Sequence, residues 1–236
     1  MKLAKNAFDI GLYTEQREAM LDFWQRVAGL TFDELLPLGG GLRQHRHRLG
    51  DAILKINHAR EPLTPAPAGG YLRLSLAREG LAAPIELLDP DANVLRLVPP
   101  GHDGITQFEL ELAVRDLGAA TAFYRDALGL DDAGPGRFRC GESLLRLHEQ
   151  DTAPVDSPMR ALGYRYTTLQ VFDVVAEHAG ILQRGGREGA APVKLGDVAF
   201  ISFVRDPDGH WIEISQRKSL VGSLDAPTTP EAAAAG

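Results

Sequence analysis

Cysteine is almost missing from this 236-residue chain: Cys140 stands alone. A single thiol excludes a disulfide framework and any zinc site built on thiolates, and it fits a reducing, cytoplasmic setting. There is no basic surplus either. The 25 Lys+Arg are outnumbered by 32 Asp+Glu, a formal net charge of −7, which argues against a nucleic-acid partner. No run of 18 apolar residues occurs, so no membrane-spanning segment is expected. The opening MKLAKNAFDIGLYTEQ has lysines but no apolar stretch of the signal-peptide kind. What the chain does have is a hydrophobic share of 44%, enough for one large core or two small ones and too much for general disorder.

The strongest positive signal is an internal repeat. Residues 17–30 (REAMLDFWQRVAGL) and 117–130 (LGAATAFYRDALGL) align at an offset of 100 residues, so that Phe23 meets Phe123, Trp24 meets Tyr124 and Gly29 meets Gly129. Both have apolar residues at helical spacing and end at a glycine, the expected helix terminator. Each follows a stretch of period-2 alternation, Phe8-Ile10-Leu12 and Phe108-Leu110-Leu112-Val114. One face of each such strand is apolar. The other carries acids and must meet water or a polar cavity.

Further short strands are expected near 41–48, 51–58, 71–77 and 93–98, then 136–140, 143–149, 164–171, 199–205 and 210–216, with a helix over 174–185. The second stretch of the first half, 70–98, has hardly any room for a helix. REPLTPAPAGG (60–70), VPPGHDG (98–104) and EQDTAPVDSP (149–158) read as connectors, GGGLR (39–43) as a hairpin turn, and the segment from 218 to 236 as a disordered tail. DPDANVLRL (89–97) and DPDGHWIEI (206–214) repeat one Asp-Pro turn entering a strand. Composition and periodicity alone give mixed α and β.

The segments VRDLGAATAFYRDALGL (114–130) and FVRDPDGHWIEI (203–214), and more loosely FDIGLYTEQREAMLDFWQRVAGL (8–30), resemble the vicinal oxygen chelate superfamily of glyoxalases, bleomycin-resistance proteins and extradiol dioxygenases. The resemblance implies an α+β fold of paired βαβββ units whose curled sheets form two tandem cups. The first would span 1–100, with a truncated second unit, and the second 104–217. It also implies a divalent metal held in a cup by His, Glu or Gln, acting as a Lewis acid.

Carried over position by position, the family's ligand slots fall on Glu109, Arg146, Tyr166 and Glu213 in the second half, and on Asp9, Lys55, Tyr71 and Arg96 in the first. No 2-His-1-carboxylate iron triad is present. If a metal binds, Glu109, His148 and Glu213 are the candidate ligands, since His148 shares a strand face with Arg146. Glu109, Glu213 and Tyr166 are the candidate catalytic groups, the acids as bases and the phenol as a donor to an oxyanion. Arg146 and His148 would contact substrate. In RQHRHR (43–48), alternation puts Arg43, His45 and His47 on one face. With Lys55 they could bind an anion or a metal, or form a charged edge strand with no ligand. His210, His178 and His102 are expected at the surface, and Cys140 as a small buried thiol.

Two functions compete. One is a lyase, isomerase or dioxygenase-like enzyme acting on an oxygen-rich or anionic metabolite. The other is a metal-free binding protein of the bleomycin-resistance type, which needs only a shaped polar cup. Both take a small-molecule ligand and neither needs nucleic acid or membrane. A homodimer is compatible with either.

Overall fold

The computed structural model describes residues 1–224. The first unit comprises β1 (Leu3–Thr14), α1 (Arg17–Asp22), β2 (Thr31–Gly39), β3 (Leu42–Leu49) and β4 (Ala52–Ala59). A second, helix-free unit follows: β5 (Tyr71–Ala77), β6 (Ile85–Leu88) and β7 (Val94–Val98). The third comprises β8 (Phe108–Val114), α2 (Leu117–Ala122), β9 (Asp131–Gly134), β10 (Arg137–Cys140) and β11 (Ser143–Glu149). The fourth comprises β12 (Gly163–Val171), α3 (Val174–Gln183), β13 (Arg187–Leu195), β14 (Ala199–Arg205) and β15 (Trp211–Arg217). A short turn of helix, α4 (Lys218–Val221), closes the described chain. The expected disordered tail therefore begins with ordered helix; its remainder, 225–236, lies outside the described residues.

The repeat is visible in detail. Both α1 and α2 run on into a wider π turn, Phe23–Val27 and Phe123–Ala127. In each, the backbone N–H of residue 30 or 130 donates to the carbonyl of Trp24 or Tyr124. The chain then leaves through Gly29 (φ 79°) or Gly129 (φ 68°), a left-handed conformation that favours glycine.

The two curled sheets do not follow the two halves of the chain. Sheet A has eight strands in the order β13-β14-β15-β12-β1-β4-β3-β2, joining the first unit to the fourth. Sheet B has seven in the order β6-β7-β5-β8-β11-β10-β9, joining the second to the third. The connector at 98–104 thus links two units of one sheet. The apolar faces of both sheets and the helices between them share one core, where Phe8 and Phe108 meet edge to face at 5.3 Å. These are the two rings that the 100-residue offset pairs. The polar faces point outward into two separate cups. Among the described residues no helix is long and apolar enough to cross a membrane.

Candidate functional site

The concave face of sheet A carries a buried triangle of polar groups. The Lys55 ammonium on β4 donates to Glu213 Oε2 on β15 at 2.6 Å and to Thr168 Oγ1 on β12 at 2.7 Å. The Thr168 hydroxyl in turn donates to Glu213 Oε2 at 2.7 Å. Strand register places them: Gly11 pairs with Lys55, Asp9 with Thr168, and Thr168 with Glu213. Period 2 turns all these side chains away from the core. Lys55 is 3% and Glu213 11% exposed, so the carboxylate is the more accessible of the two. Burial holds the Lys55 ammonium below the ordinary lysine range, only partly offset by Glu213 and Asp9.

Asp9 is fully enclosed beside this triangle. Burial alone would raise its carboxyl, but Lys5, Lys55 and Arg46 outweigh burial and hold it below the usual range. It is bonded by Lys5 Nζ, the Ile53 backbone N–H at 2.9 Å and Gln170 Nε2 at 3.2 Å. On the other side of the triangle the cup is filled. The Tyr166 ring lies across Gly11, where a Cβ would overlap it, and packs with Tyr13 and Phe203. Its hydroxyl accepts from Asn57 Nδ2 at 3.1 Å, and burial, then Glu213, pushes its pKa well above the usual tyrosine value. At the Asp9 end a cavity of about 220 Å³ opens among Lys5, Arg46, Gln170 and Arg217.

The concave face of sheet B is built differently. Glu109 and Glu111, both buried on β8, each have two basic side chains beside them. Arg137 and Arg146 bind the former, Arg146 at 3.1 Å. Arg73 at 2.7 Å and His148 at 2.9 Å bind the latter. No free carboxylate is left on that strand to act as a base.

This geometry corrects several expectations. Glu109 and Glu213 do not share a cup: β8 belongs to sheet B and β15 to sheet A. His148 contacts Glu111, on the sheet that lacks Glu213. The set Glu109, His148 and Glu213 therefore cannot converge on one ion, and Glu109 and Glu213 form no joint pair. The position facing Glu213 is Thr168, not Tyr166, which instead fills the cup floor. Arg43, His45 and His47 lie on the opposite face of β3 from Lys55. The residues sharing the Lys55 face are Gln44, beside Asn57, and Arg46, beside Lys55 itself. His47 instead meets Gln25 on the helix side at 3.0 Å. His178 and His210 are buried rather than at the surface; His210 Nδ1 is 2.8 Å from Asp206 Oδ2 and pins the Asp-Pro turn. Cys140 is buried and unpaired as expected, its thiol pushed up to about 12 by burial.

The family-implied metal does not fit these donors. Among the described residues no three His, Cys, Asp or Glu side chains group as a metal would require. Each acid in the former slots is already bound to an internal cation, Glu213 to Lys55 and Glu109 to Arg137 and Arg146. A dication there would meet like charge at contact range.

A glyoxalase-type family model, described as the Glyoxalase/Bleomycin resistance protein/Dioxygenase superfamily, matches residues 104–214. A lactoylglutathione lyase of Haemophilus influenzae is 30% identical over 127 residues, covering 48% of this chain and 93% of the relative. The fold matches that of glyoxalase I from Zea mays with a TM-score of 0.73 at 12% identity, covering 95% of this chain and 97% of the other. The same α+β arrangement of two curled sheets thus extends beyond the segment that sequence alone aligns, and the chain belongs to the glyoxalase/bleomycin resistance protein/dioxygenase superfamily.

Proposed function

We propose that the chain is a lyase- or isomerase-type enzyme that moves a proton at the carbon beside a carbonyl of a small anionic metabolite, and that it does so in the cup of sheet A without a metal. The observation carrying this reading is the Lys55–Glu213–Thr168 triangle. A carboxylate is paired with a buried ammonium, and the contacts of the triangle span 2.6–2.7 Å. Glu213 takes the proton from carbon. The electron pair moves onto the carbonyl oxygen, where Lys55 stabilises the negative charge in a low-dielectric setting, the role that oxyanion donors fill elsewhere. Thr168 holds Glu213 in place, and the proton returns from Glu213 to the former carbonyl carbon while the proton of the α-hydroxyl passes to the old carbonyl oxygen, which completes the isomerisation. Glu213 and then Asp9 favour the ammonium form of Lys55 against the larger effect of burial.

The test is solvent exchange. Chelator-treated protein is incubated in D2O with a panel of small hydroxy and oxo acids and aldehydes, and loss of the α C–H signal is followed by proton NMR. At least one compound is expected to exchange, and Glu213→Gln to slow it by about 100-fold or more, the scale of a lost general base. A panel that never exchanges, or exchange that survives in Glu213→Gln, overturns the reading. For sheet B the saturation of Glu109 and Glu111 by Arg73, Arg137, Arg146 and His148 favours the second reading, ligand binding without chemistry.

A further inference from the structure

The cavity at the Asp9 end of sheet A is a polar site with two unmet hydrogen-bonding atoms. Arg46 and Gln170 both line it, and both are more than nine-tenths buried. Arg46 Nε, a donor, and Gln170 Oε1, an acceptor, each lack a hydrogen-bond partner. Leaving such atoms unpaired is costly, so the site suits a ligand that supplies both an acceptor and a donor.

A carboxylate already marks the acceptor position. Glu34, on the edge strand β2 and 41% exposed, approaches Arg46 Nε at 3.6 Å and accepts from Arg217 at 2.9 Å. Its long reach to Arg46 is outside hydrogen-bonding range. Glu34 is thus a tethered, loosely seated carboxylate between two arginines, which are the preferred partners of a carboxylate.

Charge narrows the choice. Lys5, Lys55, Arg46 and Arg217 face Asp9, Glu34 and Glu213 on this side of the sheet. The remaining acid at the cavity, Asp33, is balanced by Arg48 at 3.1 Å. Four cations against three carboxylates leave one positive charge over. A monoanion fits that surplus. An amino acid, zwitterionic and bringing an ammonium among cations, does not. The cavity's size, below the roughly 300–1,000 Å³ of drug-sized pockets, limits the occupant to a few heavy atoms.

We propose that this cavity binds a 2-hydroxy monocarboxylate: the ligand carboxylate displaces Glu34 from Arg46 and Arg217, and the adjacent hydroxyl donates to Gln170 Oε1. This rests on the proposed reaction site in sheet A and names the end by which its substrate is held; the carbonyl that Lys55 polarises lies further along the substrate. Arg46 pairs with Lys55 across β3 and β4, so a carboxylate seated there lies beside the triangle.

Isothermal titration of the full chain with four compounds tests it. Glycolate carries both features, acetate lacks the hydroxyl, glycolamide lacks the charge and glycine is the zwitterion. Glycolate is expected to bind one to one, and each of the others at least about tenfold more weakly, the worth of one lost hydrogen bond of about 1.4 kcal/mol. Arg217→Gln should weaken glycolate by more than tenfold. Glu34→Gln should tighten it several-fold, because the competing carboxylate is gone; a purely structural Glu34 would give no gain. The proposal fails if glycolate gives no heat, if acetate or glycolamide binds as well, if Arg217→Gln has no effect, or if Glu34→Gln weakens binding. Glycolate binding in a protein that exchanges no α proton would remove the catalytic reading and leave this one. Exchange without glycolate binding would do the reverse.

Discussion

At the scale of single residues, the cup of sheet A depends on side chains that fit only as a set. Gly11 is one: the Tyr166 ring occupies the space a Cβ would need. Gly11→Ala is expected to destabilise the chain by about 1–3 kcal/mol, the usual cost of overpacking, read as a lowered urea midpoint at unchanged slope. His47 gives a pH signature. Burial, the first cause, carries its imidazole from 6.5 down to about 4. Between those values the unfolded chain binds a proton that the native chain refuses, so stability falls as pH drops from 6.5 towards 4. Urea unfolding at pH 7 and pH 5 should show that loss, and His47→Gln should reduce it. Much of this scale was legible in the sequence. Alternation placed Asp9 on a polar strand face, and the family resemblance put Lys55 and Glu213 in matching slots. That Thr168 rather than Tyr166 faces Glu213 was not legible, because that pairing is set by the register of β12 against β15, which counting along one strand does not give. Nor could the polarity of β3 show which of its two charged faces is the cup. Its histidines are buried against a helix while Arg46 is the residue beside Lys55.

At the scale of elements, the strands that were legible and those that were not divide cleanly. β2, β6, β9 and β13 gave no period-2 signal, and they are the four outer strands of the two sheets. Their residues are mostly exposed, so nothing forces apolar residues to alternate along them. Inner strands such as β8 and β12 are buried along their whole length and were read nearly to the residue. Helix starts show a similar contrast. Asp116 and Asp173 cap α2 and α3 by accepting from the N–H of Ala119 and Ala176. Gln16 before α1 makes no such bond. Asp116→Ala and Asp173→Ala should each cost about 1 kcal/mol, measured by chemical denaturation, with no effect on glycolate binding, since neither residue lines the sheet A cavity.

At the scale of the whole molecule, the repeat revealed four units but not their partners. The family resemblance implied two tandem cups, joining first to second and third to fourth. The structure nests them instead, the outer two making one sheet and the inner two the other. Lys55 and Glu213 come from opposite halves. Residues 1–100 and 104–217 produced separately should therefore each fail to bind glycolate. Mixed, they should recover binding if they refold together, a result readable by calorimetry and by the appearance of near-ultraviolet circular dichroism.

The pairing of Phe8 with Leu169 across sheet A bears on how the chain matures during translation. As it leaves the ribosome, β1 can dock against β4 at once, but its other edge waits until β12 and β15 have been made. The inner sheet can close while that edge is still open. An unpaired edge is an invitation to neighbouring chains, so nascent copies stalled before the last quarter should be the aggregation-prone species, and no premature product should carry the triangle.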